Sequence, residues 1–150
     1  MRILLAIDGS KFGGAALEEI IEREWPAGSE VRVLSVFHPT PLVPDPVLVL
    51  AAAHVETLKE ERLRAPRDVA NAAEEIKRRA PSLALSTSVL QGNPKTAIVE
   101  EAKRWSADLI LVGSHGNGAA KLVLGSVAQA VAANAPCSVE IARSKARAAA

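Results

Sequence analysis

The feature that most constrains the fold is an alternation. Short apolar runs recur along the chain, and a stretch of helical period separates each from the next. ILLAI at residues 3–7 has no polar face, which marks a strand buried on both sides. VRVLSVF at 31–37 is rich in β-branched residues and predicts a second strand. LALSTSVLQG at 83–92 alternates as a third strand would, and ADLILVG at 107–113 is a fourth buried run. CSVEIA, from Cys137 to Ala142, predicts a fifth.

The intervening segments read as helices. Ser10 can cap one that runs to about Trp25, with Ala16, Leu17, Ile20 and Ile21 on one face, and Pro26-Ala27-Gly28 stops it. A second pattern runs from about Pro46 to about Arg79, and Pro66 inside it predicts a break or kink that gives two helical pieces. Asn93-Pro94 offers a cap and a first-position proline for a helix over 94–105, with Ala97, Ile98, Ala102 and Trp105 inward. Ser126 opens the last helix, to about Asn134, with Gln129 three residues on as in a capping box. The order β-α-β-α-β-α-β-α-β predicts an α/β fold: a mostly parallel sheet, helices on both faces, right-handed crossovers.

Composition narrows the class. At 150 residues the chain fits one domain, and 49% apolar with 23% charged residues is an ordinary globular balance. Eighteen basic and 17 acidic residues leave a formal net charge of +1, without the basic stripe that nucleic-acid binding draws on. Lys77-Arg78-Arg79 follows Glu74 and Glu75 on a predicted helix and reads as a solvated face; Arg143 to Arg147 reads as a frayed tail. Two Trp, two Phe and no Tyr leave little for base stacking. Cys137 stands alone, which rules out an intrachain disulfide, and one Cys with three scattered His does not make a structural zinc site. The apolar run near the start is too short for a signal peptide, and no stretch reaches the ~20 apolar residues of a membrane span. A cytoplasmic protein is the expectation. HPTPLVPDPV at 38–47 carries four prolines in ten residues, so it is read as a loop at an edge or over a site. The domain is expected over 1–143, with a disordered tail at 144–150.

Ligands of open parallel sheets sit beyond the carboxyl ends of the strands. Those ends carry Asp8-Gly9, Phe37-His38, Gly92-Asn93 and Gly113-Ser114-His115-Gly116. The last leads through LILVGSHGNGAAKLVLGSVAQA, residues 109–130, to a second Gly-Ser at Gly125-Ser126. A helix start presents unpaired N–H groups and the positive end of a dipole, so two such glycine elements facing one point would cradle a phosphate. The same residues fit a plain turn: Gly113 and Gly116 for positive φ, Ser126 as a cap. On the residues alone both readings stand. Lys121 reads first as a solvated lysine. His115 has no obvious catalytic partner, and Asp8 with Gly9 fits an Asx-type turn as well as a ribose contact. No second acidic residue in these motifs is set to share a metal with Asp8. GSHGNG has the wrong glycine order and position for a dinucleotide fingerprint, and no Gly-Lys-Ser/Thr of a P-loop occurs.

Three stretches together resemble the universal stress protein family: ILLAIDGS, GNPKTAIVEEAKRWSADLILVGSHG, and VGSHGNGAAKLVLGSVAQAVAANAPCSVEIAR. The resemblance covers nearly the whole chain and is weakest over the proline-rich loop and the helix after it. It implies a five-stranded parallel sheet of order 3-2-1-4-5. It also implies ATP binding, with or without Mg, through a Gly-x2-Gly-x9-Gly-Ser/Thr motif. Carried over by position, Ala6 would line the base pocket, and Asp8 and Val36 the adenine and ribose side. Val112 and Gly113 would lie beside the ribose and first phosphate. His115 and Gly116 would meet phosphates through the turn, and Gly125 and Ser126 through the helix start. The implied role is regulatory or stress-related, with little or no hydrolysis, in a homodimer formed through the strand from Cys137 to Ala142. The alternative is a dimeric protein-interaction module of the same fold that binds no nucleotide. One departure bears on the choice. Eight residues, Asn117 to Leu124, separate Gly116 from Gly125 where the family has nine. In a helix that loss would rotate the downstream residues by ~100°. In the small-residue turn after Gly116 it can be absorbed with both anchors in place.

Overall fold

A computed structural model of the chain describes residues 1–9, 11–38, 51–115 and 124–144. Nine elements succeed one another in the expected order: β1 (Arg2–Ile7), α1 (Lys11–Glu22), β2 (Glu30–Phe37), α2 (Ala51–Arg79), β3 (Ala84–Gln91), α3 (Pro94–Trp105), β4 (Leu109–Gly113), α4 (Ser126–Asn134) and β5 (Ser138–Ala142). The five strands form one parallel sheet in the order β3-β2-β1-β4-β5. Chain direction reverses its march across the sheet between β1 and β4, which makes that point the switch point.

The pleat sends alternate side chains to opposite faces, and each face has its own core. Ile3, Leu5 and Ile7 of β1 join Val31, Val33, Leu109 and Leu111 on one face. There they meet Ala16 and Ile20 of α1 and Val69, Ala72 and Ile76 of α2. Leu4 of β1 joins Leu34, Ile110 and Val112 on the other face, against Ile98, Val99, Ala102 and Trp105 of α3 and Ala128 and Val131 of α4. This double burial is why the strands read as continuous apolar runs rather than alternating ones.

Three local expectations are corrected. Pro66 does not split α2, which runs unbroken from Ala51 to Arg79. A proline inside a helix removes one hydrogen bond and crowds the preceding turn. Here Ala65, Val69, Ala72 and Ile76, all buried, continue one stripe across it. Packing of that stripe on the sheet outweighs the local penalty. α1 ends at Glu22, three residues before Trp25. The Trp25 indole N–H turns back to donate to the Ile20 carbonyl at 2.9 Å, and Arg23 stacks on its ring at 4.9 Å. The third correction is the cap of α4, which belongs to the site.

Helix α3 is capped as the sequence implies. The Asn93 side chain accepts from the Lys95 N–H at 3.0 Å, and Pro94 takes the first turn. Its inward face also holds a carboxylate that the periodicity does not suggest. Glu101 is 2% exposed, and Arg32 of β2 donates to it at 2.9 Å while lying 4.5 Å over the Trp105 ring. Arg104 bonds the other carboxylate oxygen. Cys137 precedes β5 and is half-buried; burial first, and then the charge of Asp108, push its thiol pKa up. No helix among the described residues is long and apolar enough to cross a membrane. Ser10 and residues 39–47 of the proline-rich segment lie outside the described residues, as do 116–123 and 145–150.

Candidate functional site

A cleft of about 580 Å³ opens at the carboxyl edge of the sheet, within the size range of small-molecule sites. Its floor is set by register. Ala6 of β1 pairs with Leu34 on one side and Val112 on the other, so the three form one row across the middle of the sheet. Their side chains share the face that α3 and α4 cover, and Val36, two residues beyond Leu34, continues that face to the edge. Ile98 of α3 closes the apolar floor from below.

The polar rim comes from the turns that leave β1 and β4. Asp8 follows β1 directly, and Gly113 ends β4. Ser114 then acts as a hub. Its N–H donates to the Ala142 carbonyl at 2.9 Å, prolonging the β4–β5 ladder by one residue. Its hydroxyl lies 2.8 Å from Nδ1 of His115, which sets the imidazole at the rim. Its carbonyl accepts from the Gly125 N–H at 2.8 Å. That last bond ties the turn after β4 to the start of α4, and Gly113, His115, Gly125 and Ser126 line one cleft.

The start of α4 departs from the expected capping box. Gly125, not Ser126, is the N-cap, with extended φ −61° and ψ 152° and no side-chain cap. Gln129 sends its amide N–H to the Leu124 carbonyl, so it does not bond back to the cap. The Gly125 N–H is already spent on Ser114. The N–H groups of Ser126, Val127 and Ala128 are the ones left without an intrahelical acceptor. Ser126 and Val127 line the cleft, so these donors and the helix dipole stand at its rim.

Of the nine residues singled out by sequence, Ala6, Asp8, Val36, Val112, Gly113, His115, Gly125 and Ser126 line this cleft. Gly116 lies outside the described residues, as does Lys121. The glycines of positive φ among the described residues are Gly9, Gly28 and Gly92, so Gly113 is not glycine for the sake of φ. Sequence reasoning missed the wall opposite α4. Arg64, Ala65 and Asp68 of α2 line the cleft beside Phe37 and His38. Asp68 brings a second carboxylate to the cleft from outside those motifs. Nothing in the local pattern around Pro66 marks Arg64 or Asp68, because only the tertiary placement of α2 brings them to the strand ends.

The sequence model described as the Universal stress protein family matches residues 1–143. A universal stress protein of Methanocaldococcus jannaschii is 34% identical over 139 residues, spanning 92% of this chain and 79% of its own length. A universal stress protein of Thermus aquaticus is 34% identical over 148 residues, spanning 94% of this chain and 97% of its own. Among solved structures, the universal stress protein UspA of Lactobacillus plantarum superposes with a TM-score of 0.74 at 24% identity, covering 95% of this chain and 97% of that one. A family protein of Arabidopsis thaliana with AMP bound gives a TM-score of 0.64 at 20% identity over 97% and 93% of the two chains. A universal stress protein in complex with cAMP gives 0.62 at 19% identity over 97% and 98%. These structural likenesses carry the fold; the sequence matches carry the kinship. The chain belongs to the universal stress protein family.

Proposed function

We propose that this chain is a regulatory protein that binds an adenine nucleotide, ATP with or without Mg or a shorter adenylate, at the carboxyl edge of its sheet. One observation carries the reading: the Gly125 N–H bond to the Ser114 carbonyl, 2.8 Å, which ties the end of β4 to the start of α4 so that Gly113, Gly125 and Ser126 line one cleft. The row Ala6, Leu34, Val112 with Val36 offers an apolar bed for a base. Asp8 stands at the ribose side. Gly113 leaves room for a close approach. His115 and Gly116 take the phosphates through the turn, and Gly125, as the N-cap, presents the free N–H groups of Ser126 and Val127 to them. The AMP and cAMP complexes of two fold neighbours agree with a nucleotide in a cleft of this architecture.

Hydrolysis is expected to be slow or absent, because the motif supplies backbone donors and no arranged base for an attacking water. A stress-linked, cytoplasmic role is in keeping with kinship. We also infer a homodimer, formed edge to edge through β5. Isothermal titration of the purified chain with AMP, cAMP and Mg-ATP tests the nucleotide reading. Saturable heat with at least one ligand at submillimolar Kd is the expected result. No heat with any of the three at millimolar concentration overturns it and leaves the nucleotide-free interaction module as the standing alternative.

A further inference from the structure

The sheet ends in two strands, β5 on one side and β3 on the other. We propose that β3 is a second, weaker self-association edge, which pairs antiparallel with β3 of another copy about a two-fold axis at Thr87. The inference goes beyond the nucleotide reading and stands apart from the β5 dimer.

The outer side of β3 is open. Ala84 donates its N–H to the Ser29 carbonyl at 3.2 Å, and Gly92 donates to the Phe37 carbonyl at 2.9 Å. Bonding residues alternate along a parallel ladder, so the even-numbered residues between these two face β2. Leu85, Thr87, Val89 and Gln91 therefore turn their N–H and C=O groups outward, where no described strand meets them. Edges are usually defended by charge, proline, a bulge or shortness. β3 has none of these. Ala84–Gln91 carries no charge and no proline, and all eight residues stay in register with β2.

The sequence of this edge is symmetric about its centre. Ser86 and Ser88 flank Thr87, Leu85 and Val89 come next, and Ala84 and Leu90 follow. A two-fold interface has to be complementary to itself, and this pattern is. With the axis at Thr87, Leu85 faces Val89 of the other copy, Ser86 faces Ser88, and Thr87 faces its own mate. Apolar meets apolar and hydroxyl meets hydroxyl, pairings that stabilise neighbouring strands. The outward backbone groups of Leu85, Thr87 and Val89 then all bond across the seam. Moving the axis by one residue sets Leu85 against Gln91 or against Thr87 and loses the match.

The helices leave room for this. α2 packs on β2 and β3, yet Thr87 is exposed. With strands ~4.8 Å apart, the α2 helices of two copies would stand roughly 14 Å apart across the seam, beyond the about 8–10 Å of helices in contact. Three hydroxyl side chains at the centre gain little from apolar burial, so the seam forms at higher concentration than the β5 dimer.

Sedimentation of Val139→Lys from about 10 to about 500 µM tests the seam, because a charged β5 edge leaves β3 as the open one. Its mass is expected to double across that range. Thr87→Pro removes only an outward N–H, and Thr87→Lys sets like charges on the axis. Either one, added to Val139→Lys, should hold the chain as a monomer with an unchanged circular dichroism spectrum. Cysteine variants that also carry Cys137→Ser read the register under a copper oxidant. Thr87→Cys, with Cα about 5.5 Å from that of its mate, should form a disulfide dimer, whereas Val89→Cys, roughly 14 Å from its own, should not. A mass that stays monomeric throughout, one that doubles equally in both Thr87 variants, or equal cross-linking at 87 and 89 overturns the proposal. A Val139→Lys chain that is dimeric at the lowest concentration, and that Thr87→Pro makes monomeric, would overturn the β5 dimer and keep the β3 seam.

Discussion

Gly9 holds φ +71°, a conformation that costs residues with a Cβ about 1–2 kcal/mol. A Cβ at this position would also lie 2.2 Å from Asp68 Oδ2 and 2.8 Å from Arg64 Nη2. Both atoms end flexible side chains that can swing aside, so the positive φ, more than the close approach, is what calls for glycine here. Gly9→Ala is expected to cost about 1–2 kcal/mol, read as a lower midpoint in urea denaturation. A midpoint within error of wild type would show that the turn does not hold residue 9 at positive φ. Gly113 looks the same in sequence and answers a different need. It ends a strand without positive φ, and its bare Cα leaves space at the cleft. Sequence shows where glycines fall but not which constraint each one meets, since φ and close approach both select the same residue. Ser114 was equally hidden. A serine between a glycine and a histidine gives no sign that its three polar groups will tie β5, His115 and Gly125 together.

At the level of elements, α4 trades stability for an open rim. Its N-cap is a glycine with backbone angles that any residue can adopt, and no side chain caps the first turn. An aspartate in that position is the natural remedy for an uncapped helix. Gly125→Asp is expected to raise stability by a few tenths of a kcal/mol, because its carboxylate bonds the N–H groups of the first turn and suits the dipole. The same carboxylate would occupy the donors proposed for phosphate and repel it. Nucleotide affinity by titration should then fall at least about tenfold while the melting temperature holds or rises. A variant that binds as wild type does would place the phosphates elsewhere than at α4. The helix itself was legible from Ser126 to Asn134, and so was the cap of α3, because Asn-Pro before an amphipathic stretch has few other uses. The capping box was not, since Gly-Ser leaves the cap ambiguous by one residue. The continuity of α2 was not legible either. Pro66 is a local signal, whereas the buried stripe from Ala65 to Ile76 has force only once a sheet is there to receive it.

The order of elements and the sheet were readable in the whole chain because burial on both faces leaves each strand a continuous apolar run, and chirality then fixes the crossovers. The strand order came from family resemblance, and the register of Ala6 between Leu34 and Val112 needed coordinates. The finished sheet has two edges that differ in chemistry. β3 offers ALSTSVLQ, polar along much of its length, while β5 offers SVEIA with Val139, Glu140 and Ile141 all half-buried. Glu140 is turned to the α1 side, where Arg23 bonds both of its oxygens. Val139 and Ile141 pack partly against the core of the opposite face. An edge of this kind, short and apolar with its one charge already paired, lacks the usual defences against another strand. A second copy presenting the same edge would pair with it about a two-fold axis, the common arrangement of soluble homodimers. The chain is thus expected to sediment at twice its 15.7 kDa mass at micromolar concentration. Val139→Pro, which removes a backbone donor and cannot extend a ladder, should sediment as the monomer. Because proline also strains the β4–β5 pairing, Val139→Lys serves beside it: a charge on the edge leaves the backbone intact yet blocks association. If both variants stay dimeric with wild-type melting temperatures, the two copies meet at a surface other than β5.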